Sequence, residues 1–505
     1  MSLLGIDIGT TGCKAVAFDE NGKILALSYN EYPLLHPKEG YCELEPNLVF
    51  NNIKNSLIEI NQKVGKDKIQ AFAISCQGEA IIPIDRNNNP LYNAIVTFDG
   101  RTKEQCLFWE KEFGKKKIFS ITGMPLHPMY SINKIMWVKK HLAGIYKKAY
   151  KFLCFEDFVF SQLGMKPTID HCLAARTMAL DIKKKEWSKE ILETAGIKED
   201  KLAELKPSGQ IVGRLNVDIA KKLGFTENVF GVTGGHDQGC GALGAGITKA
   251  GVAMNATGTS DVLAVIYNDV NLSDKMLEYN YSCYPYVTED KYMSISFNLT
   301  GGLLLRWFRD NFCEKEIKKA KKDNMDAYDL ILHNIQESPT NLFILPHFVG
   351  SGTPYMDSNS KGLLIGLDLE TGKNKIAKAI IESLTFDLRF NLEKLKQSGI
   401  VIKKLVAIGG GAKSIKWLKL KADILDIELI TLENLEAASF GAALLAGKAI
   451  GIYSSYQEAI KRTVKEKMKF IPDKRNLKIY NKRYKIYKDI YRKNKNLLHR
   501  INDLD

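Results

Sequence analysis

The stretch that organises this chain is Gly234-Gly235-His236-Asp237-Gln238-Gly239-Cys240-Gly241, in which a carboxylate and an amide lie inside a run of glycines. A glycine run by itself is a weak signal. Two further turns rich in Gly and Thr accompany it, in Gly5-Ile6-Asp7-Ile8-Gly9-Thr10-Thr11-Gly12-Cys13-Lys14 and in Asn255-Ala256-Thr257-Gly258-Thr259-Ser260. Such turns can contact a phosphate chain from opposite sides, with the aspartate between them facing the group that accepts the phosphoryl.

Length and composition predict an ordinary globular protein of two domains. The chain has 505 residues, 45% of them hydrophobic and 26% charged, which exceeds the size of a single common core. A net charge of +14 raises the possibility of a nucleic-acid or membrane partner. The lysines are scattered along the chain, however, so solvated lysines are the favoured interpretation and neither partner is predicted.

Cysteine usage and hydropathy bear on the compartment. The nine cysteines are widely spaced and form no Cys-x-x-Cys pair, which argues against a disulfide framework or a zinc site. No apolar run approaches the length of a membrane span. These features predict a cytoplasmic protein.

The pattern of the first strands is repeated in the second half of the chain. Leu3 to Ile8, Cys13 to Phe18 and Ile24 to Tyr29 read as three strands joined by tight turns, unlike a Walker loop or a Rossmann fingerprint. After Gly246 the strand and turn pattern restarts, and helices and strands then alternate. We therefore expect two similarly folded halves around a cleft.

Domain boundaries and further elements follow from periodicity. The expected domains are residues 1–246, 247–455 and a basic helical extension, 456–505, that packs on the body through Tyr480, Tyr484, Tyr487 and Tyr491. The predicted helices are 47–64, 103–113, 131–141, 374–396, 414–425 and 437–450. The predicted strands include 69–75, 251–256, 261–267, 292–297, 404–408 and 428–430.

The Gly/Thr turns have the composition of anion-binding sites, because their backbone N–H groups and hydroxyls are unobstructed by Cβ atoms. Candidate phosphate ligands are Thr10, Thr11, Gly12, Thr257, Gly258 and Thr259. Asp7 is placed to hold Mg²⁺ through water, and Lys14 to add a positive charge near the transferring phosphoryl. A third turn at Gly409-Gly410-Gly411-Ala412 would contact the adenine or ribose. The alternative for any one turn is a plain hairpin.

Asp237 is the candidate general base, which accepts a hydroxyl proton as the oxygen attacks phosphorus. Its alternative is a carboxylate that caps a local turn. His236 and Gln238 offer neighbouring hydrogen bonds to the substrate.

Polar residues after a buried strand are further candidates for substrate binding. Gln77 and Glu79 follow the strand 69–75, and Asp99 and Arg101 follow a later turn. Carboxylates and amides suit vicinal hydroxyls. The acids could instead be ordinary surface residues.

Jointly these residues resemble the FGGY carbohydrate kinases of the actin-like, hexokinase-like ATPase superfamily, from Leu4 to about Tyr453. Further matching motifs are Ala174-Ala175-Arg176-Thr177, Gly302 with Trp307, Leu345-Pro346-His347-Phe348, Gly362 to Leu367, Ala422-Asp423 and Gly441-Ala442-Ala443. The resemblance implies an α/β fold with two ribonuclease H-like (actin-like ATPase) domains flanking a catalytic cleft, and use of ATP and Mg²⁺. It implies Asp237 as base, Asp7 at the metal, and Gly302, Gly410, Gly411 and Ala412 at the nucleotide.

Departures from the family patterns affect the substrate. Xylulokinases usually show Gln-Met-His-Gly where this chain has Gln77-Gly78-Glu79-Ala80, and glycerol kinases show Gln-Arg-Glu there. The expected acceptor is a pentulose, with a polyol or an aldonate as alternatives. A non-catalytic actin-like ATPase or a sugar sensor is the alternative of another class. A homodimer is expected, although no residue pattern determines it.

Overall fold

A computed structural model of the chain describes residues 1–65, 68–225 and 228–504. The strands of the first half are β1 (Ser2–Ile8), β2 (Gly12–Asp19), β3 (Ile24–Glu31), β4 (Glu43–Leu44), β5 (Ile69–Cys76), β6 (Ile82–Ile84), β7 (Ala94–Ile95), β8 (Lys151–Leu153), β9 (Thr168–Asp170), β10 (Leu180–Asp181), β11 (Glu186–Trp187), β12 (Glu204–Lys206), β13 (Ile211–Arg214) and β14 (Phe230–His236). Its helices are α1 (Pro46–Val64), α2 (Lys103–Glu112), α3 (Lys115–Thr122), α4 (Ser131–His141), α5 (Ala143–Lys148), α6 (Phe155–Gln162), α7 (His171–Ala175), α8 (Lys189–Ala195), α9 (Val217–Leu223) and α10 (Asp237–Gly244).

The second half continues the numbering. Its strands are β15 (Val252–Thr257), β16 (Asp261–Tyr267), β17 (Tyr284–Pro285), β18 (Tyr292–Asn298), β19 (Phe343–Leu345), β20 (Leu363–Ile365), β21 (Lys404–Ile408), β22 (Glu428–Leu432) and β23 (Glu466–Phe470). Its helices are α11 (Asp274–Glu278), α12 (Gly302–Phe312), α13 (Glu314–Asp323), α14 (Ala327–His333), α15 (Lys373–Gln397), α16 (Ile415–Leu425), α17 (Ala437–Ala449), α18 (Tyr456–Thr463) and α19 (Lys474–Asn502).

The two main sheets share one topology. The first has the order β13-β14-β5-β1-β2-β3, with β1 antiparallel to β2 and parallel to β5, which in turn is parallel to β14. The second has the order β17-β18-β16-β15-β21-β22-β23, with β15 antiparallel to β16 and parallel to β21, which is parallel to β22. The predicted duplication is therefore confirmed.

The residues explain why these elements form. Leu4, Ile6 and Ile8 are buried because β1 lies between β2 and β5 and is covered on both faces. Helix α1 starts with Pro46 at its first position, where no backbone N–H is needed. The side chain of Ser414 caps α16 by accepting a hydrogen bond from Trp417 N.

Helix α17 of the second half packs on the first half through small residues. A Cβ at Gly441 would overlap the carbonyl oxygen of Cys240 in α10, and a Cβ at Gly5 in β1 would overlap that of Ser439 in α17. Glycine is required at these positions because backbone meets backbone. The contact joins the two halves directly beneath the cleft.

The C-terminal region differs from its prediction. The region expected to be a helical extension consists of α18, β23 and α19, and β23 pairs antiparallel with β22 as the edge of the second sheet. Hydrogen bonds from an existing sheet edge stabilise this strand, a long-range contact that helical periodicity cannot reveal. The four tyrosines of α19 are buried as expected. No helix among the described residues is long and apolar enough to cross a membrane.

Candidate active site

Asp237 is the first residue of α10 and directly follows β14, at the carboxyl end of that strand. Its side chain is 31% exposed. It lines a cavity of about 250 Å³ together with Asp7, Lys14 and Gln238 of the first half, and with Gly409 and residues 435–439 of the second. The cavity therefore lies between the two halves, where a phosphoryl donor and an acceptor can meet.

The acceptor atoms beside this cavity are unsatisfied. Oδ1 of Asp237 and Oε1 of Gln238 are buried, and neither accepts a hydrogen bond within the described part of the chain. Buried polar atoms in native proteins almost always have partners, so this pair is expected to bind hydroxyl groups of a ligand. Burial, with the nearby charges of Asp7 and Glu79, raises the pKa of Asp237 to about 7.

His236 lies beside Asp237, and its ring is neutral at pH 7. Its Nε2 is 3.2 Å from Oδ1 of Asp237, off the hydrogen-bonding direction, and its Nδ1 is 3.2 Å from the Tyr284 hydroxyl. Burial and the charge of Arg176 lower the pKa of His236 to about 3. The neutral ring can orient a substrate hydroxyl.

Asp7 fits the role of a magnesium ligand. Its Oδ1 accepts a hydrogen bond of 2.8 Å from Ser75 Oγ, and burial raises its pKa. Within the described residues no cluster of three or more His, Cys, Asp or Glu side chains could hold a metal. Because Mg²⁺ is commonly bound by one or two carboxylates with water and substrate phosphates, a single carboxylate facing the cleft suits the ion.

The first phosphate turn joins β1 to β2. Gly9 N donates to Gly12 O at 2.9 Å, which closes the turn, and Thr11 is exposed at its tip. Gln77 was predicted to bind substrate, and the structure gives it a different position. Its Oε1 accepts from Thr10 Oγ1 at 3.3 Å and its Nε2 donates to Gly9 O at 3.1 Å, so its amide supports the turn.

The second phosphate turn connects β15 to β16. Gly258 and Thr259 are exposed, with open space where a Gly258 side chain would lie. The turn is tied to the start of α12, because Gly302 N donates to Gly258 O at 2.7 Å. Thr257 contributes backbone here, but its hydroxyl is not available to phosphate as predicted. It donates to Asp261 Oδ1 and accepts from Lys421 Nζ, each at 2.7 Å.

The third turn, at Gly409, Gly410 and Gly411, packs against the second. Gly409 has φ +79°, and a Cβ at Gly411 would lie 2.7 Å from Thr257 Cβ. Side chains there would push the two turns apart, so glycine is required. Gly410 is exposed, and buried Ala412 follows it, which leaves the backbone of Gly410 open to a nucleotide.

Glu79 is held in a buried network of hydrogen bonds near Asp237. It has φ +64°, an unusual conformation for a residue with a side chain. Its Oε1 accepts from Arg176 Nε at 2.5 Å, its Oε2 from Thr97 Oγ1 at 2.9 Å, and its carbonyl from Lys134 Nζ at 2.7 Å. Burial alone would raise the pKa of Glu79, but the positive charge of Arg176 holds this pKa below its usual value.

Comparison with known proteins places this site in a family. Family models described as the N-terminal and C-terminal domains of the FGGY family of carbohydrate kinases match residues 2–244 and 253–450. The chain belongs to the FGGY family of carbohydrate kinases. It is 32% identical to the xylulose kinase of Bacillus subtilis, over 98% of this chain and 97% of that protein.

Solved structures of this kinase family have the same fold. Ligand-bound xylulose kinase from Lactobacillus acidophilus superposes with a TM-score of 0.88 at 25% identity, covering 98% of both chains. Gluconate kinase from the same organism superposes with a TM-score of 0.89 at 25% identity, also covering 98% of both chains. The chain is thus a phosphotransferase with an alcohol group as acceptor, in a family that uses ATP.

Two predicted substrate residues of this kinase do not reach the cleft. Asp99 and Arg101 have fully buried side chains and bind each other at 2.6 and 2.7 Å. Arg101 also pairs with Glu43 at 2.7 Å, and its guanidinium lies 3.9 Å from the centre of the Tyr41 ring. The charges of Asp99 and Arg101 neutralise each other in this buried cluster, although Nη1 of Arg101 has no hydrogen-bond partner among the described residues. Because neither side chain is exposed, the prediction of both as substrate ligands is wrong.

The kinase has further site residues that sequence reasoning left out of the site. Arg176 lies within the quoted motif Ala174 to Thr177 but was assigned no role. With His127, Tyr130 and Ser282 it lines a second cavity, of about 170 Å³, between the two halves. Gly78 packs between His236 and Arg176, because a Cβ there would lie 3.0 Å from the His236 ring and 3.5 Å from Arg176 Cβ. The Arg-Thr pair after two alanines was the signal that could have found Arg176.

Lys14 crosses the cleft of the kinase. Its Nζ lies 2.5 Å from Oε2 of Glu436, which precedes α17, and both side chains are about a quarter exposed, at 29% and 25%. The lysine therefore has a carboxylate partner in the opposite half. A phosphate group entering the cavity would compete with Glu436 for Lys14.

Proposed function

We propose that this kinase transfers the γ-phosphoryl group of ATP to a hydroxyl of a small neutral sugar, a pentulose in the first place, with Asp237 as general base. The observation that carries the proposal is the cavity between the two halves, which Asp237 and Gln238 line together with Asp7 and Lys14. Beside it, Asp237 Oδ1 and Gln238 Oε1 are buried without a hydrogen-bond partner among the described residues. A hydroxyl bound there would satisfy the carboxylate and lose its proton to it.

The residues of the cleft suit each part of the reaction. Backbone N–H groups of the two Gly/Thr turns would bind the phosphates, and Lys14 would neutralise charge on the transferring group. Asp7 would hold Mg²⁺, which supplies charge neutralisation at the phosphate oxygens when bound. The carboxylate of Asp237 would accept the hydroxyl proton, and a pKa of about 7 leaves a large fraction of this carboxyl ionised at neutral pH.

The charges around the acceptor favour a neutral sugar over an aldonate. Arg176 is paired with Glu79, and the ammonium of Lys134 is bound to the carbonyl of the same residue. Burial lowers the pKa of His127 to about 4 and that of His236 to about 3, so both rings are neutral at pH 7. The carboxylates of Asp237 and Asp7 would repel a substrate carboxylate.

The relatives support a sugar acceptor. A xylulose kinase is 32% identical to this chain over nearly its whole length. A glycerol-type polyol is the second candidate, because glycerol kinases carry glutamate at the position of Glu79. Against it, a side chain at residue 78 would press on His236, so the arginine of those enzymes cannot be accommodated without movement.

The test is a coupled assay of ADP release with ATP and Mg²⁺ across ketopentoses, ketohexoses, polyols and aldonates. We expect a pentulose to give the highest kcat/KM and the aldonates the lowest. The variant Asp237→Asn should bind ATP with unchanged affinity and lose about 100- to 10,000-fold in kcat, the range typical of general base catalysis. If Asp237→Asn retained most of the turnover, Asp237 would not be the base. If the enzyme preferred aldonates, the proposal of a neutral acceptor would be wrong.

A homodimer and a cytoplasmic location remain predictions from sequence. Light scattering coupled to size exclusion and cell fractionation test them directly. A mass of 56.7 kDa in light scattering, that of a single chain, would contradict the predicted homodimer.

A further inference from the structure

Glu156 on α6 is a buried carboxylate that binds two backbone segments at once. Its Oε1 accepts a hydrogen bond of 2.6 Å from Gly234 N, and its Oε2 accepts one of 3.1 Å from Asp170 N. The side chain is fully buried. Neither contact involves ATP or sugar, and no role described above uses this residue.

Strand β14, which directly precedes Asp237, needs this partner because its sheet pairing is interrupted. The register between β14 and β5 shifts between Val232 and Gly235, so Gly234 lies at an irregularity two residues before His236. A Cβ at Gly234 would overlap the carbonyl oxygen of Ile74, which shows how closely the strands approach there. Glu156 supplies the acceptor for Gly234 N that regular sheet pairing would otherwise provide.

The other oxygen of Glu156 contacts the helix that leads to Arg176. Asp170 caps α7, because its Oδ1 accepts from Cys172 N at 2.7 Å, and it also accepts from Ser208 Oγ at 2.8 Å. Arg176 is the residue at which α7 ends. One side chain thus connects the strand of the proposed base to the helix that presents the partner of Glu79.

We propose that Glu156 is a positioning residue that fixes Asp237 relative to the Glu79–Arg176 pair through these two backbone hydrogen bonds. This inference rests on the proposed base role of Asp237. A displacement of a reacting group by about 1 Å can reduce a rate by about 100-fold, so a hydrogen bond that holds the backbone three residues before the proposed base is suitably placed to affect turnover.

The variant Glu156→Gln tests this clamp, formed by the two hydrogen bonds, with minimal change in volume. Its amide oxygen can still accept from Gly234 N, but its NH₂ group cannot accept from Asp170 N, so the second of the two backbone hydrogen bonds is lost. We expect kcat to fall about 10- to 100-fold, with the KM for ATP unchanged. Asp157→Asn is the matched control: Asp157 is equally buried on the same helix and makes no hydrogen bond to β14 or α7 within the described part of the chain, so kcat should stay within about twofold of wild type.

Hydrogen exchange reports how firmly the two backbone segments bound by Glu156 are held, independently of turnover. In Glu156→Gln, amides of residues 230–240 and 168–176 should exchange at least about tenfold faster, while those of β1 and β15 stay unchanged. Should Glu156→Gln fail to fold, Glu156→Asp, which keeps both oxygens but shortens their reach, serves the same comparison. Wild-type kcat together with wild-type exchange in the folded variant would overturn the proposal.

A double variant separates positioning from a general loss of stability. If Glu156 acts through Asp237, Glu156→Gln should lower the residual rate of Asp237→Asn by less than about twofold. An additive loss would show that Glu156 acts elsewhere and would overturn the positioning role. If Asp237→Asn instead retains turnover, the base role fails, whereas the exchange experiment still reports whether the clamp exists.

Discussion

Replacing Lys421 with methionine should weaken both the second half of the molecule and its second phosphate turn. The ammonium of Lys421 donates to Asn255 Oδ1 and Thr257 Oγ1, each at 2.7 Å, and lies 3.8 Å from Asp261 Oδ1. The side chains of Lys421 and Asp261 are 2% and 5% exposed. Methionine preserves the length of the side chain and removes its charge.

The size of the expected loss of stability follows from the carboxylate of Asp261, which would remain buried without its cation. Breaking a buried ion pair by removing one partner costs about 3–5 kcal/mol, because the remaining charge is desolvated without compensation. For a domain of roughly 150–250 residues, 1 kcal/mol corresponds to about 2–4 °C in Tm, so we expect Lys421→Met to lower the Tm of the second half by about 6–20 °C. The KM for ATP should rise, since Thr257 loses the contact that orients it.

The assay is differential scanning calorimetry of the single and double variants, with KM for ATP measured below the transition. Adding Asp261→Asn to Lys421→Met removes the uncompensated carboxylate and should recover at least half of the lost Tm. A Tm change of less than about 2 °C in Lys421→Met, or a double variant no more stable than the single one, would refute the electrostatic reasoning.

Four further predictions concern the cleft and the junction of the two halves. Because burial raises the pKa of Asp237 to about 7 and a base must be deprotonated, kcat/KM for the sugar should fall tenfold per pH unit below about 7 and level off above it; a flat profile from pH 5.5 to about 8 would contradict this. Glu79→Gln, which leaves Arg176 without its carboxylate, should raise the KM for sugar at least about tenfold while the KM for ATP is unchanged, and the opposite pattern would place Glu79 on the nucleotide side. Gly441→Ala should lower the free energy of unfolding in urea by about 3 kcal/mol, because its Cβ would overlap the backbone of α10. Gly144→Ala, which has open space around it, should not lower the free energy of unfolding, and equal effects of the two variants would exclude the proposed close packing. Glu436→Gln should change stability by less than about 1 kcal/mol, since the pair is partly exposed, and should lower the KM for ATP by releasing Lys14; a raised KM would show that Glu436 assists binding.

Local patterns were sufficient for the larger part of the fold. Strands such as Asp261–Tyr267 and Lys404–Ile408 and the helix Ser131–His141 were predicted with the bounds that the structure has. Apolar runs of these lengths bounded by turns indicate buried strands and helices directly. The prediction failed at β23, where pairing with β22 overrides the lysine-rich helical pattern around it.

The roles of individual polar residues depended on contacts that sequence spacing cannot show. Gln77 follows a buried strand like a ligand residue, but 68 positions separate it from Gly9, whose carbonyl it binds. Asp99 and Arg101 have the composition of a substrate site and instead neutralise each other in a buried cluster. In each case the same residue type can bind a substrate or stabilise the fold. Which of the two it does depends on the residue that it contacts in the folded chain.

The amino-acid sequence by itself determined the duplicated α/β fold, the three glycine-rich turns and the prediction of Asp237 as base, because periodicity and turn chemistry act over a few residues. Only the tertiary structure decided which polar groups remain free for a ligand. Lys421 and Thr257 are 164 residues apart, and Glu156 and Gly234 are 78 apart, yet each pair shares a hydrogen bond. A buried polar group forms its hydrogen bond with the partner that folding brings within about 3 Å, and the packing of the whole chain determines which residue that partner is.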